Sequence, residues 1–295
     1  MGRRRNPLRA GVFAVAAWLA AAAGAQAQDL RPAGKLLLTG GVSSIEGAAG
    51  GGLASWAVIT GYGATEGVGA NAHGTVARLP DYEFRTYGAA VGVFDRLEVS
   101  YARQEFDTGK TGAALGLGRG FTFGQDIFGA KLRVAGDAVY DQDRLLPQIA
   151  VGFQAKDADQ GAIIRALGGA RDKDVDYYVA ATKVLLDRSV VLSGTIRATR
   201  ANQTGLLGFG APGDDDYSLQ FEGSAGVLVS KRLLLGAEYR TKPDRLGLKE
   251  DDWLDLFAAY AVNKNLSITA AYLDLGEIAT FKDQRGLYVS LQAGF

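Results

Sequence analysis

Apolar and polar residues alternate with a period of two along most of the chain after residue 54. The alternation is clearest in residues 233–240, where Leu233, Leu235 and Tyr239 lie on one face and Glu238 and Arg240 on the other. A strand with one apolar and one polar face has this pattern. It predicts twelve strands, at residues 55–63, 82–94, 96–106, 121–134, 145–155, 175–186, 189–201, 217–230, 233–242, 252–262, 265–274 and 285–295.

The predicted strands favour a membrane barrel. No run after residue 27 approaches the roughly 18 uninterrupted apolar residues that a spanning helix needs, so strands would have to cross. Lipid satisfies no backbone N–H or C=O group, and spanning strands must therefore close into a barrel. The connections alternate in length, with the longer ones at residues 64–81, 107–120, 156–174, 202–216, 243–251 and 275–284. We expect an all-β, transmembrane, antiparallel up-and-down β-barrel of about 12 strands, with short periplasmic turns and longer extracellular loops.

The first 27 residues have the pattern of a cleaved secretory signal peptide. Four arginines within residues 3–9 precede an apolar run at residues 10–24, and Ala25-Gln26-Ala27 is a small-x-small cleavage site. An uncleaved anchor is the alternative, but the run is shorter than a spanning helix requires. We therefore expect a signal peptide at residues 1–27, a Gly-rich segment at residues 28–54 that is a plug or a periplasmic arm, and a barrel at residues 55–295.

Composition excludes several kinds of site. Without the leader, 28 of the 32 basic residues remain against 32 acidic ones, a net charge of −4, which does not favour nucleic acid. The chain has no cysteine, so it has no disulfide and no thiolate metal site. The one histidine, His73, falls in the predicted loop 64–81, where we expect it to be solvated. We expect no metal, no cofactor and no enzyme activity; a serine hydrolase would need a nucleophile, and Ser55 has no diagnostic context.

Charged residues on the polar faces are the candidate functional residues. A charge facing lipid at mid-depth costs about 2 to 4 kcal/mol for Arg or Lys, so they should face the interior. The predicted pore-lining residues are Arg85, Glu98, Lys131, Arg133, Lys183, Arg197, Glu222, Glu238, Arg240 and Asp255. They line either a narrow wet pore or a salt-bridged, closed interior. We favour a passive channel for small polar or charged solutes, then a non-conducting structural or surface-interaction barrel, and third an outer-membrane hydrolase.

Two further patterns indicate the outer membrane. Phe295 ends the chain after Leu291 and Ala293 at every second position, which resembles the C-terminal signal read by the outer-membrane assembly machinery, although an aromatic residue is more usual than Ala293. Aromatic residues also cluster near the predicted strand ends, as expected at headgroup level. Acidic runs at residues 214–216 and 250–252 could share cations with lipopolysaccharide, but solvated charge is the simpler interpretation.

Four stretches together resemble a proteobacterial family of exported proteins that is defined only as a domain of unknown function. The stretches are residues 34–42, 117–123, 136–143 and 201–210. The resemblance covers nearly all of the chain after the leader. It implies an outer-membrane setting and no particular reaction, ligand or functional residue.

Overall fold

The structure is a computed structural model that describes residues 35–40, 42–63, 65–114, 116–248 and 250–295. Twelve antiparallel strands close a barrel in which each strand pairs with its sequence neighbours and β1 pairs with β12. The strands are β1 Val68–Arg78, β2 Glu83–Val93, β3 Leu97–Asp107, β4 Thr122–Ala135, β5 Gln148–Ala158, β6 Lys173–Leu185, β7 Val190–Thr199, β8 Ser218–Ser230, β9 Leu233–Arg240, β10 Trp253–Ala261, β11 Leu266–Asp274 and β12 Arg285–Gly294. The predicted barrel class is confirmed. The proposed signal peptide lies outside the described residues.

The two ends of the barrel differ in their connections. The connections after β3, β5, β7, β9 and β11 are long, and we call this side, which also holds the short β1–β2 connection, the loop end. The opposite side, the turn end, has short connections except between β4 and β5. In the part of the chain that the structure describes, helix is confined to α1 Thr111–Ala114, α2 Gly161–Ala166 and a 3-10 turn at Gln203–Gly205, all at the loop end. Among the described residues, no helix is long and apolar enough to cross a membrane.

An apolar belt covers the outer face of the barrel. Side chains at alternate strand positions point outward and stay exposed, for example Val99, Phe128, Leu219, Leu256 and Leu287. A soluble monomer rarely exposes an apolar patch larger than a few hundred Å². The alternate positions that point inward carry most of the buried charge of the strands. The barrel therefore presents an apolar exterior and a largely polar interior, the pattern of a membrane barrel.

The first predicted strand is wrong, while the other eleven occur within a few residues of their predicted bounds. Residues 55–63 form no strand in the barrel wall, and β1 instead lies within the predicted loop 64–81. Residues 55–63 are apolar because they are buried, and β1 shows weak alternation because Ala72 and Gly74 occupy its outward face. His73 is consequently an inward residue of β1 with 6% of its surface exposed, and the expectation of a solvated loop histidine is wrong.

Candidate functional site

Residues 42–63, which we call the inner segment, lie inside the barrel. Its backbone N–H groups donate hydrogen bonds to carboxylates on the inner wall: Ala49 and Thr60 to Glu98 at 3.1 and 2.8 Å, and Leu53 to Glu238 at 2.7 Å. The wall returns hydrogen bonds to the carbonyls of the segment. A buried backbone without regular structure needs such partners. The inner wall thus holds this chain in place by its polar side chains.

Glycines let the inner segment turn tightly and approach the wall. Gly47 has φ of +92°, a conformation that a side chain would strain. A Cβ on Gly50 would lie 2.3 Å from the carbonyl oxygen of Ala54, and one on Gly51 would lie 1.7 Å from a carboxylate oxygen of Glu238. The Gly-rich composition of this stretch is therefore explained by close packing inside the barrel.

Glu46 joins the inner segment to three cations on three strands. Its carboxylate lies 2.5 Å from the Nζ of Lys156, 3.1 Å from Arg197 and 3.1 Å from Arg240, and it is fully buried. Burial alone would raise the pKa of Glu46, but the charges of Arg197, Arg240 and Lys156 together hold this pKa well below its usual range. Glu46 is therefore ionised at neutral pH.

Two wall carboxylates complete this cluster. Glu222 lies 2.6 Å from Nε of Arg197 and 3.7 Å from Nε of Arg240. Asp176 lies 2.8 Å from Nζ of Lys156. Three cations thus meet three anions, so the buried charges are neutralised and hydrogen-bonded, as charges away from water must be.

A loop enters the barrel from the loop end and meets the inner segment. The β7–β8 connection carries the 3-10 turn Gln203–Gly205, and the carbonyl of Thr204 accepts a hydrogen bond from Lys156 at 2.9 Å. Gln125 donates to the same carbonyl at 3.3 Å. Lys156 therefore binds the loop and Glu46 at once. The inner segment and this loop together fill the interior from the two ends.

Seven of the ten predicted pore-lining residues face inward, and one lies at the turn end. The inward residues are Glu98, Lys131, Arg197, Glu222, Glu238, Arg240 and Asp255. Arg133 pairs at the turn end with Asp95 and Asp137. Their role in lining a pore stays a prediction.

The two remaining residues face outward, which corrects their prediction. Arg85 is exposed and pairs with Glu83 near the loop end, because its neighbour Thr86 takes the inward position. Lys183 follows the inward residue Thr182, which bonds the inner segment. The Nζ of Lys183 is instead capped by carbonyls of the β4–β5 connection, including those of Asp137 and Leu146 at 3.4 and 3.3 Å.

Sequence reasoning missed three members of the charge cluster. Glu46 lies in a stretch without regular secondary structure, and Lys156 lies beyond the predicted end of its strand at residue 155. The prediction of an inward Lys183 puts Asp176 on the outer face, because the two residues lie on opposite faces of β6. One signal was available: Glu46 is the single charged residue between Lys35 and Glu66.

The described aromatic residues divide between the two faces. Tyr177, Tyr217, Tyr239 and Tyr272 are exposed on the outer face at the loop end, where headgroups would lie. Tyr82, Phe123 and Trp253 are buried inside, so they are not part of an outer girdle. Trp56 lies in the inner segment. Among the described residues, no group of three or more His, Asp or Glu is arranged to hold a metal ion.

A family model matches residues 39–292, which contain both the barrel and the inner segment. The chain belongs to the DUF3034 family, described as proteins of unknown function. A search of curated proteins found no match.

Solved structures similar to this chain are outer-membrane barrels of low sequence identity. The KdgM porin is 10% identical, with a TM-score of 0.50 over 76% of this chain and 99% of that chain. The NanC porin is 10% identical, with a TM-score of 0.47 over 77% and 98%. The outer membrane phospholipase A from Escherichia coli is 8% identical, with a TM-score of 0.41 over 80% and 92%. At these identities the likeness concerns the fold.

Proposed function

We propose that this protein is an outer-membrane channel for small polar or charged solutes, closed at rest by the inner segment. One observation carries the proposal. The inner wall is charged, and the lumen that it encloses is filled by a separate stretch of chain rather than by the wall's own side chains. A wall built only for rigidity could satisfy its charges pairwise. Here Glu98, Glu222 and Glu238 accept hydrogen bonds from backbone N–H groups of the inner segment. Displacing that segment would therefore expose a polar lumen.

The KdgM porin, which has a similar fold, supports this class of solute. KdgM is called a porin and has also been solved in complex with disordered oligogalacturonate. The strands of the present chain bring both signs of charge into the interior, Lys131 and Arg197 as well as Glu98 and Asp255. We therefore expect weak selectivity between small cations and anions.

The proposal includes a cellular setting. We propose export through the signal peptide expected at residues 1–27. With an even strand count, both barrel termini would then lie in the periplasm and the loop end outside the cell. The outward series Leu291, Ala293 and Phe295 would be read by the assembly machinery, and the apolar belt would contact outer-membrane lipid with lipopolysaccharide around the loops. The topology and the C-terminal pattern support these proposed partners.

Removing the inner segment should open the channel. We expect the refolded mature protein to give rare, small current steps in a planar bilayer, and a variant lacking residues 42–60 to give long, larger steps, because the deleted chain fills the lumen. Heat-dependent migration on gels checks that both barrels are folded. Silence of a folded deletion variant in several salts would contradict the channel and favour the non-conducting barrel.

The hydrolase alternative has little support in the site. Neither ring nitrogen of His73 has a hydrogen-bond partner among the described residues, so no hydroxyl is placed for the imidazole to activate. We accordingly propose that the protein is not an enzyme. His73→Ala should leave lipid and peptide hydrolysis assays unchanged, and a loss of turnover in that variant would overturn this.

A further inference from the structure

One side of the barrel interior is apolar and lies next to the charge cluster, where Trp253 pairs in register with Arg240. There β2 and β3 contribute Phe84 and Phe106, and β10 and β11 contribute Trp253 and Leu273. These side chains point inward near the loop end of their strands. Core packing alone would fill such a surface without voids. Here voids remain among the apolar side chains.

Two adjoining cavities lie along this apolar side toward the loop end. The outer cavity, about 120 Å³, is bounded by strand and loop residues that include Phe123, Leu207 and Leu248. The inner cavity, about 40 Å³, lies deeper, against Trp253 and Tyr288. Phe106, Gln203, Leu206 and Ile278 line both. Since a dry cavity of about 150 Å³ holds benzene and one water occupies about 30 Å³, the outer cavity suits one small ring and the inner one a polar group of a few atoms.

Among the described residues, two buried hydrogen-bond donors that border the cavities have no partner: Gln203 lines both cavities and Trp253 lines the inner one. Nε2 of Gln203 and Nε1 of Trp253 are both unbonded, and each residue is only 8% exposed. Both residues lie near Lys242, whose Nζ is 3.4 Å from Oε1 of Gln203 and 5.1 Å from the centre of the Trp253 ring. A buried donor left unpaired is unfavourable, because it has lost its hydrogen bonds to water without gaining others. A ligand with an accepting oxygen would satisfy both donors.

The charges around the junction favour a neutral ligand. Nζ of Lys242 lies 2.5 Å from the carboxylate of Glu250, and both side chains are almost fully buried. Burial lowers the pKa of Lys242, while Glu250 opposes this shift. The ammonium group is thus already paired, so a carboxylate ligand would enter without a free cation to meet it.

From the cavities and their two free donors, we propose that this site binds one small, neutral, mainly apolar molecule, of the size of a single-ring aromatic carbonyl compound. Its ring occupies the outer cavity, and its oxygen accepts hydrogen bonds from Gln203 and Trp253. The site lies beside the charge cluster, and Ile45 and Leu53 of the inner segment line part of its inner cavity. Binding of a small neutral molecule there goes beyond the proposed channel activity.

Acetophenone, toluene and benzoate test the class of ligand. Each is titrated into the full mature protein in lipid nanodiscs, with empty nanodiscs as the blank. We expect saturable binding of acetophenone, and binding of toluene that is weaker by about 3- to 10-fold because it makes no hydrogen bond. Benzoate should bind more weakly than acetophenone. Absence of saturable acetophenone binding, or equal binding of toluene, would overturn the proposal.

Variants locate the site. Leu206→Phe fills the space shared by the cavities and should abolish binding, whereas Leu219→Phe, the same change at a 74% exposed outer position, should not. Trp253→Phe keeps a ring and removes one donor, so it should reduce the preference for acetophenone over toluene. Equal binding by Leu206→Phe and Leu219→Phe would place the ligand elsewhere. The binding assay measures no current. A barrel that binds acetophenone but does not conduct would therefore contradict only the channel proposal.

Discussion

A disulfide between the inner segment and the wall is expected to abolish the current of the mature protein. Ala57 and Ala150 of β5 belong to one buried cluster, together with Tyr178 and Ala180. The native chain has no cysteine, so Ala57→Cys with Ala150→Cys introduces a single possible pair. Since the bond prevents the segment from leaving the lumen, oxidised protein should show no openings in a planar bilayer. Adding a reductant should restore the wild-type level of openings.

Each single cysteine variant is the matched control and should conduct equally with and without reductant. Mass analysis of a proteolytic digest shows whether the bond has formed. Two cysteines bond only when their Cβ atoms approach to about 4 Å. Openings of equal frequency in an oxidised double variant that carries the bond would contradict the account.

The second large effect is expected from Glu46→Gln. The substitution keeps the shape of the side chain and removes the charge that holds Lys156, Arg197 and Arg240 to the inner segment. Breaking a buried ion pair costs about 3 to 5 kcal/mol. Asp176 and Glu222 still neutralise part of the cluster, so we expect the closed state to lose about 3 kcal/mol of stability relative to the open state. This loss raises the fraction of open channels about 100-fold.

Glu66→Gln is the control for this measurement, because Glu66 is exposed and lies just before β1. Single-channel recording of both variants beside the wild type gives the open fraction directly. If Glu46→Gln opened no more often than Glu66→Gln, the charge cluster would not be what retains the inner segment, and the segment would have to be held by its backbone hydrogen bonds alone.

The sequence predicted the wall well because the wall follows a local rule. A strand between lipid and a polar lumen must alternate, so β9 and β12 were visible from residues 233–240 and 285–295 alone. The first strand was missed because its outward face carries small residues, Ala72 and Gly74 among them, while the buried inner segment is apolar enough to imitate a strand. Apolar character reports burial and does not reveal what covers the residue.

The period of two predicts the face of a strand residue from its spacing to another residue whose face is known: an even spacing puts both on the same face. Arg85 lies two residues from the outward Tyr87, and Lys183 lies six residues from the outward Tyr177, so both share the outer face. Glu46 could not be assigned by periodicity, because its position depends on contacts with residues more than 100 positions away. Its isolation in an uncharged stretch was the one available clue.

The account depends on the inner segment lying inside the barrel, and the rate of thiol labelling tests this most directly. Ala57→Cys and Glu66→Cys are each exposed to a bulky, water-soluble maleimide in the folded protein; residue 57 is fully buried and residue 66 is exposed. We predict rapid labelling at residue 66 and labelling at residue 57 that is slower by at least about 100-fold, since a bulky reagent reaches it only when the segment leaves. Equal rates at the two positions would show that the segment lies outside the lumen.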